Sequence, residues 1–552
     1  MVIRLIKSLN FTTLNFKLFF FLAAVCLLTA SFAQPNQPKL IVGIVVDQMR
    51  ADYITKYWSK FGNDGFKKLV NNGYLCKNTH YNYVPTFTGP GHASIYTGTT
   101  PCGHGIIANN WYNKESHSVI YCTDDKNAKS VGGDAKAGAM SPENMLATTI
   151  GDQLRISSRF ESRVFGVALK DRGAILPAGH SANAAYWYDG NTGNWITSTY
   201  YMDALPFWVD DFNKKGLPAK YMENTWNTLL PIAQYTESIA DDNTYEEPFS
   251  GLTKATFPYQ LRDLLKANGN LNLIRSTPWG NTLTTDFAMA LVKSENLGKG
   301  NAADMLTLSY SSTDYIGHRF GPTSVELEDT YLRLDNELAR LLTFLDQWVG
   351  SKNYTLFLTA DHGVSENVSY LQKHKIPAGL LNESDIEKAL KPFLKKTFDD
   401  SLVLSVSNQQ VFLNIPAQSV NRQIIYNVVK SFLLSLPGVS GLYDESQINA
   451  WGKAEDIKQS IENGFNQKRS GDIVIDYLPN WMPGEGKGGT THGTFYNYDT
   501  HVPLIWYGWN INVKGSTTEP VNITDIVPTL AYLLNIPAPA SSKGKLISSL
   551  VK

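Results

Sequence analysis

Aspartates and histidines occur in this chain at spacings that suit metal binding. Asp314 and His318 stand four residues apart just after a predicted strand, and Asp361 and His362 are adjacent after the next strand. His492 follows in a loop rich in glycine and threonine. Oxygen and nitrogen donors without thiolates suit zinc in an open, catalytic site. We therefore expect these residues to form a metal centre.

A threonine at the start of Thr88–His92, with the sequence Thr-Gly-Pro-Gly-His, could react at such a centre. The residues at 93–96 can form a helix, and the N-terminus of a helix attracts anions through its free N–H groups and its dipole. The Thr88 hydroxyl would then lie against a phosphate or sulfate. Because a threonine before Gly-Pro-Gly is also a common N-cap or turn residue, the functional interpretation depends on the metal ligands.

Apolar runs predict the strands that position these residues. Leu40–Val46 is continuous and rich in β-branched residues, and it ends at Asp47, which is typical of a buried strand in a parallel sheet. Similar runs end shortly before Lys170, Asp314 and Asp361. Ligands of open α/β sheets collect at the carboxyl ends of the strands, so we expect these side chains to lie at one edge of one sheet.

Helical patterns alternate with the apolar runs, at about 65–72, 145–158, 284–294 and 325–348. The alternation predicts an α/β fold with a doubly wound, mostly parallel sheet and helices on both faces. Two stretches interrupt it: a cap-like insertion at about 180–280, rich in Trp, Tyr, Asn and Pro, and a small α+β insertion at about 380–485. We assign 34–552 to one catalytic domain with these two insertions.

The N-terminus has the pattern of a secretory signal. Basic residues precede an apolar run at 18–28, and small residues flank Phe32 at the positions that a signal peptidase reads. We expect 1–33 to be a signal peptide and the mature protein to be periplasmic or secreted. The apolar run is short for a bilayer span, so no stable membrane span is expected, while cleavage after Ala33 and a lipid anchor at Cys26 both stay open.

Charge and cysteine content limit the possible partners. The net charge of −1 over 552 residues argues against a nucleic-acid binder that neutralises phosphates. Without the signal peptide, Cys76, Cys102 and Cys122 are left, and an odd number permits at most one internal disulfide, whose pairing stays open. We expect a monomer that acts on small molecules.

Taken together, these motifs resemble the alkaline phosphatase superfamily, and most of all its exported, zinc-dependent alkaline phosphatases of the phosphate-irrepressible type, which use a threonine nucleophile. The resemblance runs from about residue 38 to the C-terminus, with the motifs in the family's order. The residues that carry it are Asp47, Thr88–His92, Gly103–Trp111, Lys170-Asp171-Arg172, Asp314 with His318, Asp361-His362-Gly363 and Thr491-His492-Gly493.

The resemblance implies two zinc ions in each chain. Their implied ligands are Asp314, His318 and His492 for one ion, and Asp47, Asp361, His362 and the Thr88 oxygen for the other. His501 competes with His492, but the Thr-His-Gly setting of His492 is the one that matches. Thr88 would attack phosphorus and form a covalent phosphothreonine, and zinc would lower the pKa of its hydroxyl.

Three further residues are implied to bind the phosphoryl oxygens, namely Asn109, Lys170 and Arg172. Lys170 and Arg172 are two apart beyond a strand, so in extended geometry their side chains would share a face. A phosphate monoester is a dianion and favours two cations, whereas a diester carries one charge and a second bulky group. The sequence therefore predicts a phosphomonoesterase.

Three alternative functions make different demands on the sequence. A phosphodiesterase or nucleotide pyrophosphatase of the same superfamily would share both zinc sites and Thr88. A sulfatase needs a Cys or Ser in a Cys/Ser-x-Pro-x-Arg setting, and Thr88–His92 has neither that residue nor the arginine. A non-enzymatic exported protein that binds anions or sugars is the third alternative, given the many Trp and Tyr residues.

Overall fold

The computed structural model describes residues 37–551, with gaps at 417–418, 451–456, 485 and 487. The predicted signal peptide at 1–33 lies outside the described residues. Within the described part, no helix combines the length and apolar character needed to cross a membrane.

The strands form one large sheet and several small ones. In chain order they are β1 (Leu40–Val46), β2 (Tyr74–His80), β3 (Asn110–Asn113), β4 (Ser118–Tyr121), β5 (Ser130–Val131), β6 (Val164–Ala168), β7 (Ala184–Asp189), β8 (Asn194–Ser198), β9 (Thr225–Trp226), β10 (Tyr259–Gln260), β11 (Asp304–Tyr310), β12 (Tyr354–Thr359), β13 (Gly379–Leu381), β14 (Val403–Ser407), β15 (Gln410–Leu413), β16 (Val439–Asp444), β17 (Ile473–Tyr477), β18 (Trp481–Pro483), β19 (His501–Gly508), β20 (Gly515–Thr517) and β21 (Val521–Asn522).

Helices flank the large sheet and connect its strands. In chain order the α-helices are α1 (Tyr53–Lys56), α2 (Phe66–Asn72), α3 (Thr88–Thr97), α4 (Pro101–His104), α5 (Ile150–Ser157), α6 (Asp171–Ala178), α7 (Phe207–Lys214), α8 (Leu217–Met222), α9 (Leu261–Leu264), α10 (Trp279–Ser294), α11 (Ser312–Phe320), α12 (Val325–Trp348), α13 (Val368–Lys373), α14 (Glu383–Phe398), α15 (Arg422–Leu434), α16 (Glu445–Ala450), α17 (Ile457–Gly464), α18 (Asn497–Thr500) and α19 (Ile526–Leu534). Short 3-10 helices occur at Ile232–Gln234, Lys266–Asn268, Asn270–Ser276 and Ile523–Asp525.

The described residues form an 11-stranded central sheet in the order β20-β2-β19-β12-β1-β11-β6-β7-β8-β5, with β21 beside β2. Its centre, β12-β1-β11-β6-β7, is parallel. β19 runs antiparallel to β12. The start of β19 therefore lies at the edge where the parallel strands end, and the loop that carries His492 arrives at this same edge. The α/β fold predicted from the sequence is confirmed.

Burial and capping explain where the main elements begin and end. All seven residues of β1 are buried, which matches its continuous apolar sequence. At α12, the Ser324 hydroxyl accepts a hydrogen bond from the Leu327 N–H, so the helix starts where Ser324 caps it. The helix predicted at 145–158 starts only at Ile150, because Thr149 and Asp152 form a capping box there.

The segment from Gly379 to Pro483 has its own small sheet and apolar core. β14, β15, β17 and β16 pair antiparallel, and a separate cluster that includes Leu390, Val429 and Ile473 packs against them. β13 and β18 pair at the two ends of the segment, so the chain leaves and returns at one place. This segment coincides with the α+β stretch expected at about 380–485.

The first part of the stretch at about 180–280 is not the cap-like insertion that the sequence predicted. Residues 184–198 form β7 and β8, and β7 pairs in parallel with β6 in the central sheet. The sheet therefore continues to Ser198. The sequence did not predict β7 for two reasons. Its six residues are all buried, so they show no two-residue alternation of apolar and polar side chains, and the strand lacks the β-branched residues that are typical of β1.

Candidate active site

Thr88 is the first residue of α3 and is almost fully buried. The sequence suggested a helical run from residue 93, but the helix already includes Gly-Pro-Gly, because a proline in the first turn lacks only an N–H that has no partner within the helix. Phe87 precedes α3 in an extended conformation and gives no side-chain cap. The anion-attracting end of α3 is therefore at Thr88 itself.

The first acid–histidine group consists of Asp47, Asp361 and His362, which follow β1 and β12. Their candidate ligand atoms all lie within 4.8 Å of one another. His362 Nε2 is 3.6 Å from Asp47 Oδ1 and 3.5 Å from Asp361 Oδ2. The Thr88 hydroxyl oxygen is 3.4 Å from the same Nε2. Thr88 therefore stands at this group, as the resemblance implies.

The second acid–histidine group consists of Asp314, His318 and His492. Asp314 and His318 are one turn apart on α11, and His318 Nε2 is 3.2 Å from Asp314 Oδ1. His492 Nε2 is 3.7 Å from the same oxygen. The rings of His492 and His362 stack with centroids 3.5 Å apart, so the two groups adjoin.

The three histidines in these groups share one orientation. Each Nδ1 lies within hydrogen-bond distance of a backbone carbonyl: Thr490 for His318, at 2.9 Å; Thr86 for His492, at 2.7 Å; and Gly363 for His362, at 2.9 Å. An Nδ1–H that donates to a carbonyl leaves Nε2 as an acceptor, which is the usual arrangement of metal-binding histidines. All three Nε2 atoms face a carboxylate of their own group.

Unsatisfied buried oxygens support a cation at the first acid–histidine group. Asp47, Asp314 and Asp361 are all buried, and Asp47 Oδ1 and Asp361 Oδ2 accept no hydrogen bond. Lys170 supplies one positive charge, 2.7 Å from Asp47 Oδ2 and 2.5 Å from Asp314 Oδ2. Buried carboxylates need paired charge, so three carboxylates and one ammonium fit additional bound cations.

The pKa values reflect this crowding. Burial, with Asp314 and Asp361 nearby, raises the pKa of Asp47 well above its ordinary value. Burial would also raise the pKa of Asp314, but His318 and Lys170 hold it well below its ordinary value. Burial lowers the pKa of both His362 and His492, which keeps these imidazoles neutral and able to bind a metal.

Two of the three residues implied to bind phosphoryl oxygens lie at the start of one helix. Lys170 is at the N-cap position of α6 and Arg172 is the second residue of that helix, so the expectation that the two side chains share the face of an extended segment is wrong. The chain turns into a helix directly after Lys170. Arg172 Nη1 donates to the Tyr121 hydroxyl, at 2.9 Å, and the Asn109 side-chain oxygen accepts from the Gly89 N–H, at 2.7 Å.

Two buried residues at the site were not assigned a role from the sequence. The Gln48 backbone N–H donates to Asp361 Oδ1, at 3.1 Å, and its side-chain amide donates to Asp314 Oδ1, at 2.9 Å, so Gln48 connects the two groups. His92 lies one helical turn after Thr88, and its Nδ1 is 2.9 Å from the Thr88 carbonyl and 3.3 Å from Asp361 Oδ2. The four-residue spacing between Thr88 and His92 was the sequence feature that could have indicated this contact.

His501 lies apart from both groups. Its ring stacks on His80, with centroids 4.5 Å apart, and its Nε2 is 2.8 Å from the Lys77 carbonyl. The structure therefore brings His492, rather than His501, to Asp314 and His318. The three cysteines Cys76, Cys102 and Cys122 are all free thiols.

Comparisons with known proteins place this site in a family. Residues 41–501 match the profile of type I phosphodiesterase / nucleotide pyrophosphatase. A protein of Myroides odoratus named calcium-transporting ATPase is 45% identical, over 94% of this chain and 95% of its own. Alkaline phosphatase PafA of Elizabethkingia meningoseptica is 44% identical, over 93% of this chain and 95% of its own.

The fold agrees with these sequence matches. A crystal structure of alkaline phosphatase PafA superimposes with a TM-score of 0.89 at 43% identity, covering 94% of this chain and 99% of the other. The chain therefore belongs to the type I phosphodiesterase / nucleotide pyrophosphatase family of the alkaline phosphatase superfamily, and it is an alkaline phosphatase enzyme.

Proposed function

We propose that the protein is an exported, monomeric phosphomonoesterase with two zinc ions, which hydrolyses phosphate monoesters through a phosphothreonine at Thr88. The observation that carries this proposal is the position of Thr88. Its hydroxyl lies at the N-terminus of α3, 3.4 Å from His362 Nε2. The ring of His362 also stacks on that of His492, so Thr88 lies where the two acid–histidine groups meet.

The chain offers ligands for both zinc ions. Asp47, Asp361 and His362 would hold one, and the group of Asp314, His318 and His492 would hold the other. Bound zinc would supply positive charge that lowers the pKa of an alcohol or water and neutralises phosphoryl oxygens. Carboxylate oxygens without hydrogen bonds at Asp47 and Asp361 support the first site, and the closely spaced ligand atoms of Asp314, His318 and His492 support the second.

The remaining steps belong to side chains of the protein. Thr88 Oγ1 forms a bond to phosphorus while the bond from phosphorus to the ester oxygen breaks, and the proton that Thr88 loses passes through water to the leaving alcohol. A water oxygen then bonds to phosphorus while the bond from phosphorus to Oγ1 breaks, one proton of that water restores the hydroxyl of Thr88, and phosphate leaves. The positive end of the α3 dipole lies at the phosphoryl group and stabilises its negative charge.

Lys170, Arg172 and Asn109 complete the binding of a dianion. Arg172 is held through Tyr121, which fixes the direction of its guanidinium. The Asn109 amide is fixed by the Gly89 N–H at its oxygen, so its NH₂ group is left to donate to a phosphoryl oxygen. Two cations and an amide at one phosphoryl group favour a monoester dianion over a diester.

The experiment compares zinc-loaded wild type, Thr88→Ala and Thr88→Ser with p-nitrophenyl phosphate and its methyl diester. We expect Thr88→Ala to lose nearly all phosphate release while it keeps its zinc, and Thr88→Ser to keep measurable turnover, because serine retains a hydroxyl. Ordinary turnover by Thr88→Ala would show that the nucleophile is misassigned.

The same assay decides the principal alternative. The matched family profile is that of phosphodiesterases and nucleotide pyrophosphatases, and such an enzyme would prefer the methyl diester. Absence of turnover with either substrate would instead favour an anion-binding protein. Export is tested separately by mass spectrometry of the secreted chain, whose N-terminus we expect directly after Ala33.

A further inference from the structure

A cavity of about 670 Å³ opens beside Lys170 and Arg172. Its walls are the ends of β6 and β7, the loop at 134–137 and the 3-10 helix Asn270–Ser276. It lies at the same edge of the central sheet as the two acid–histidine groups. Its volume is within the range of small-molecule sites, so it can receive more than a phosphoryl group.

Three cations that line the cavity, Lys136, Arg172 and Arg275, have no salt bridge within the described part of the chain. Arg275 Nη2 donates to the Tyr188 carbonyl, at 2.7 Å, while its buried Nε has no hydrogen-bond partner. A guanidinium carries five N–H donors. Apart from the bond to Tyr188, the Nη donors of Arg275 make no hydrogen bond within the described residues, so they can bind a ligand.

Three aspartates also line the cavity, and each of them already accepts hydrogen bonds from the protein. Asp189 accepts from two backbone N–H groups and a threonine hydroxyl, at 2.8 to 2.9 Å. Asp171 accepts from the Tyr121 hydroxyl, at 2.6 Å, and Asp134 accepts from the Lys136 N–H, at 2.9 Å. Donors in the cavity thus lack acceptors, which is the chemistry of an anion site.

Aromatic side chains cover part of the wall between these cations. Tyr121 and Tyr315 are partly exposed beside Arg172, and Trp187 and Tyr188 are buried behind them. Aromatic rings pack against the carbon skeleton of a ligand, while a few charged groups fix its orientation. The cavity therefore combines an apolar wall with a charged end.

We propose that this cavity receives the alcohol part of the substrate and that Arg275 binds a second anionic group on it. The preferred substrates are then phosphate monoesters whose alcohol carries a carboxylate or another phosphate. The inference rests on the proposed function, because Lys170 and Arg172 line the cavity and are also assigned to the phosphoryl oxygens. An ester bound by them has its alcohol part at the entrance of the cavity.

The test compares 4-carboxyphenyl phosphate with the compound in which its carboxyl group is a methyl ester. The two have nearly the same shape and the same phosphate group, but the methyl ester lacks the charge of the carboxylate. For each variant the measured quantity is the ratio of kcat/KM for the carboxylate to kcat/KM for the methyl ester. We expect Arg275→Ala to lower this ratio about tenfold, the size of one lost charge-assisted contact, and Arg275→Lys to restore most of it. Arg262→Ala, at an exposed arginine paired with Glu223, is the matched control.

The two proposals fail in different ways. Turnover of the methyl ester by the wild type tests the phosphomonoesterase assignment and does not involve a second anion. If the wild type hydrolyses both substrates but Arg275→Ala leaves the ratio unchanged, or if Arg262→Ala lowers it equally, the anion site at Arg275 is refuted while the phosphatase stands. Thermal unfolding of each variant shows that the compared proteins are folded.

Discussion

Gln48 offers the sharpest test of how the site is assembled, because its backbone N–H donates to a carboxylate of one acid–histidine group and its side-chain amide donates to a carboxylate of the other. Its backbone φ of 65° is in the left-handed region, which costs a residue other than glycine about 1 kcal/mol. We predict that Gln48→Ala weakens zinc binding, because Asp314 loses the amide that orients it.

The magnitude follows from the contact that is lost. The side-chain amide of Gln48 is 2.9 Å from Asp314 Oδ1 and buried, and a hydrogen bond to a charged group contributes about 1.5–3 kcal/mol. This corresponds to an affinity loss of about 10- to 100-fold, the range found when residues that orient metal ligands are removed. The backbone cost cancels, because alanine has the same left-handed strain as glutamine.

The assay is a zinc titration of the metal-free protein against a chromophoric chelator. Gln372→Ala is the matched control, since Gln372 also donates from its side-chain amide, to the Ala378 carbonyl at 2.9 Å, but at an exposed site and not to a candidate metal ligand. Zinc affinity in Gln48→Ala within about twofold of wild type, less than the loss of one hydrogen bond requires, would refute the orienting role.

Three further predictions concern packing, substrate choice and pH. A Cβ at Gly91 would lie 2.3 Å from the Asp361 carbonyl oxygen, so Gly91→Ala should lower the free energy of unfolding by about 1–3 kcal/mol, as measured by denaturant titration. Gly300→Ala is the control, because the nearest atom to a Cβ there is 3.9 Å away. Equal losses in the two variants would contradict the packing argument. Lys170→Ala should reduce kcat/KM for a monoester more than for its methyl diester, and equal losses would remove Lys170 as a contact of the dianion. Burial raises the pKa of Glu246 to about 8 from 4.5, so the protonated form that stabilises the fold is lost as pH rises through this window. The free energy of unfolding of Glu246→Gln should therefore rise relative to that of wild type between about pH 5 and pH 9, by a few kcal/mol. A difference in unfolding free energy that does not change with pH would contradict the pKa shift.

Much of the scaffold could be predicted from local sequence. The bounds of β1 and α12 agree with the predicted runs at 40–46 and 325–348, because a continuous apolar run or a capped, periodic helix is recognisable from local sequence. The sequence did not predict β7, since burial on both faces and its aromatic residues remove the two-residue alternation of apolar and polar side chains. The predicted helix at 145–158 was too long at its start, where the capping box at Thr149 sets the boundary.

The chemical types of the candidate ligands, and their positions after strands, could be read from the chain, because carboxylates and imidazoles at strand ends need no distant information. Tertiary structure decided which of them meet. Lys170 lies between Asp47 and Asp314, Gln48 joins the two groups, and Arg275 reaches the cavity from a segment that shows no motif. The contacts of Lys170 and Gln48 join residues that are more than 100 positions apart, so they depend on strand order and on where the chain turns into α6. Sequence thus determined the available chemistry, and packing of the sheet determined the geometry in which it can act.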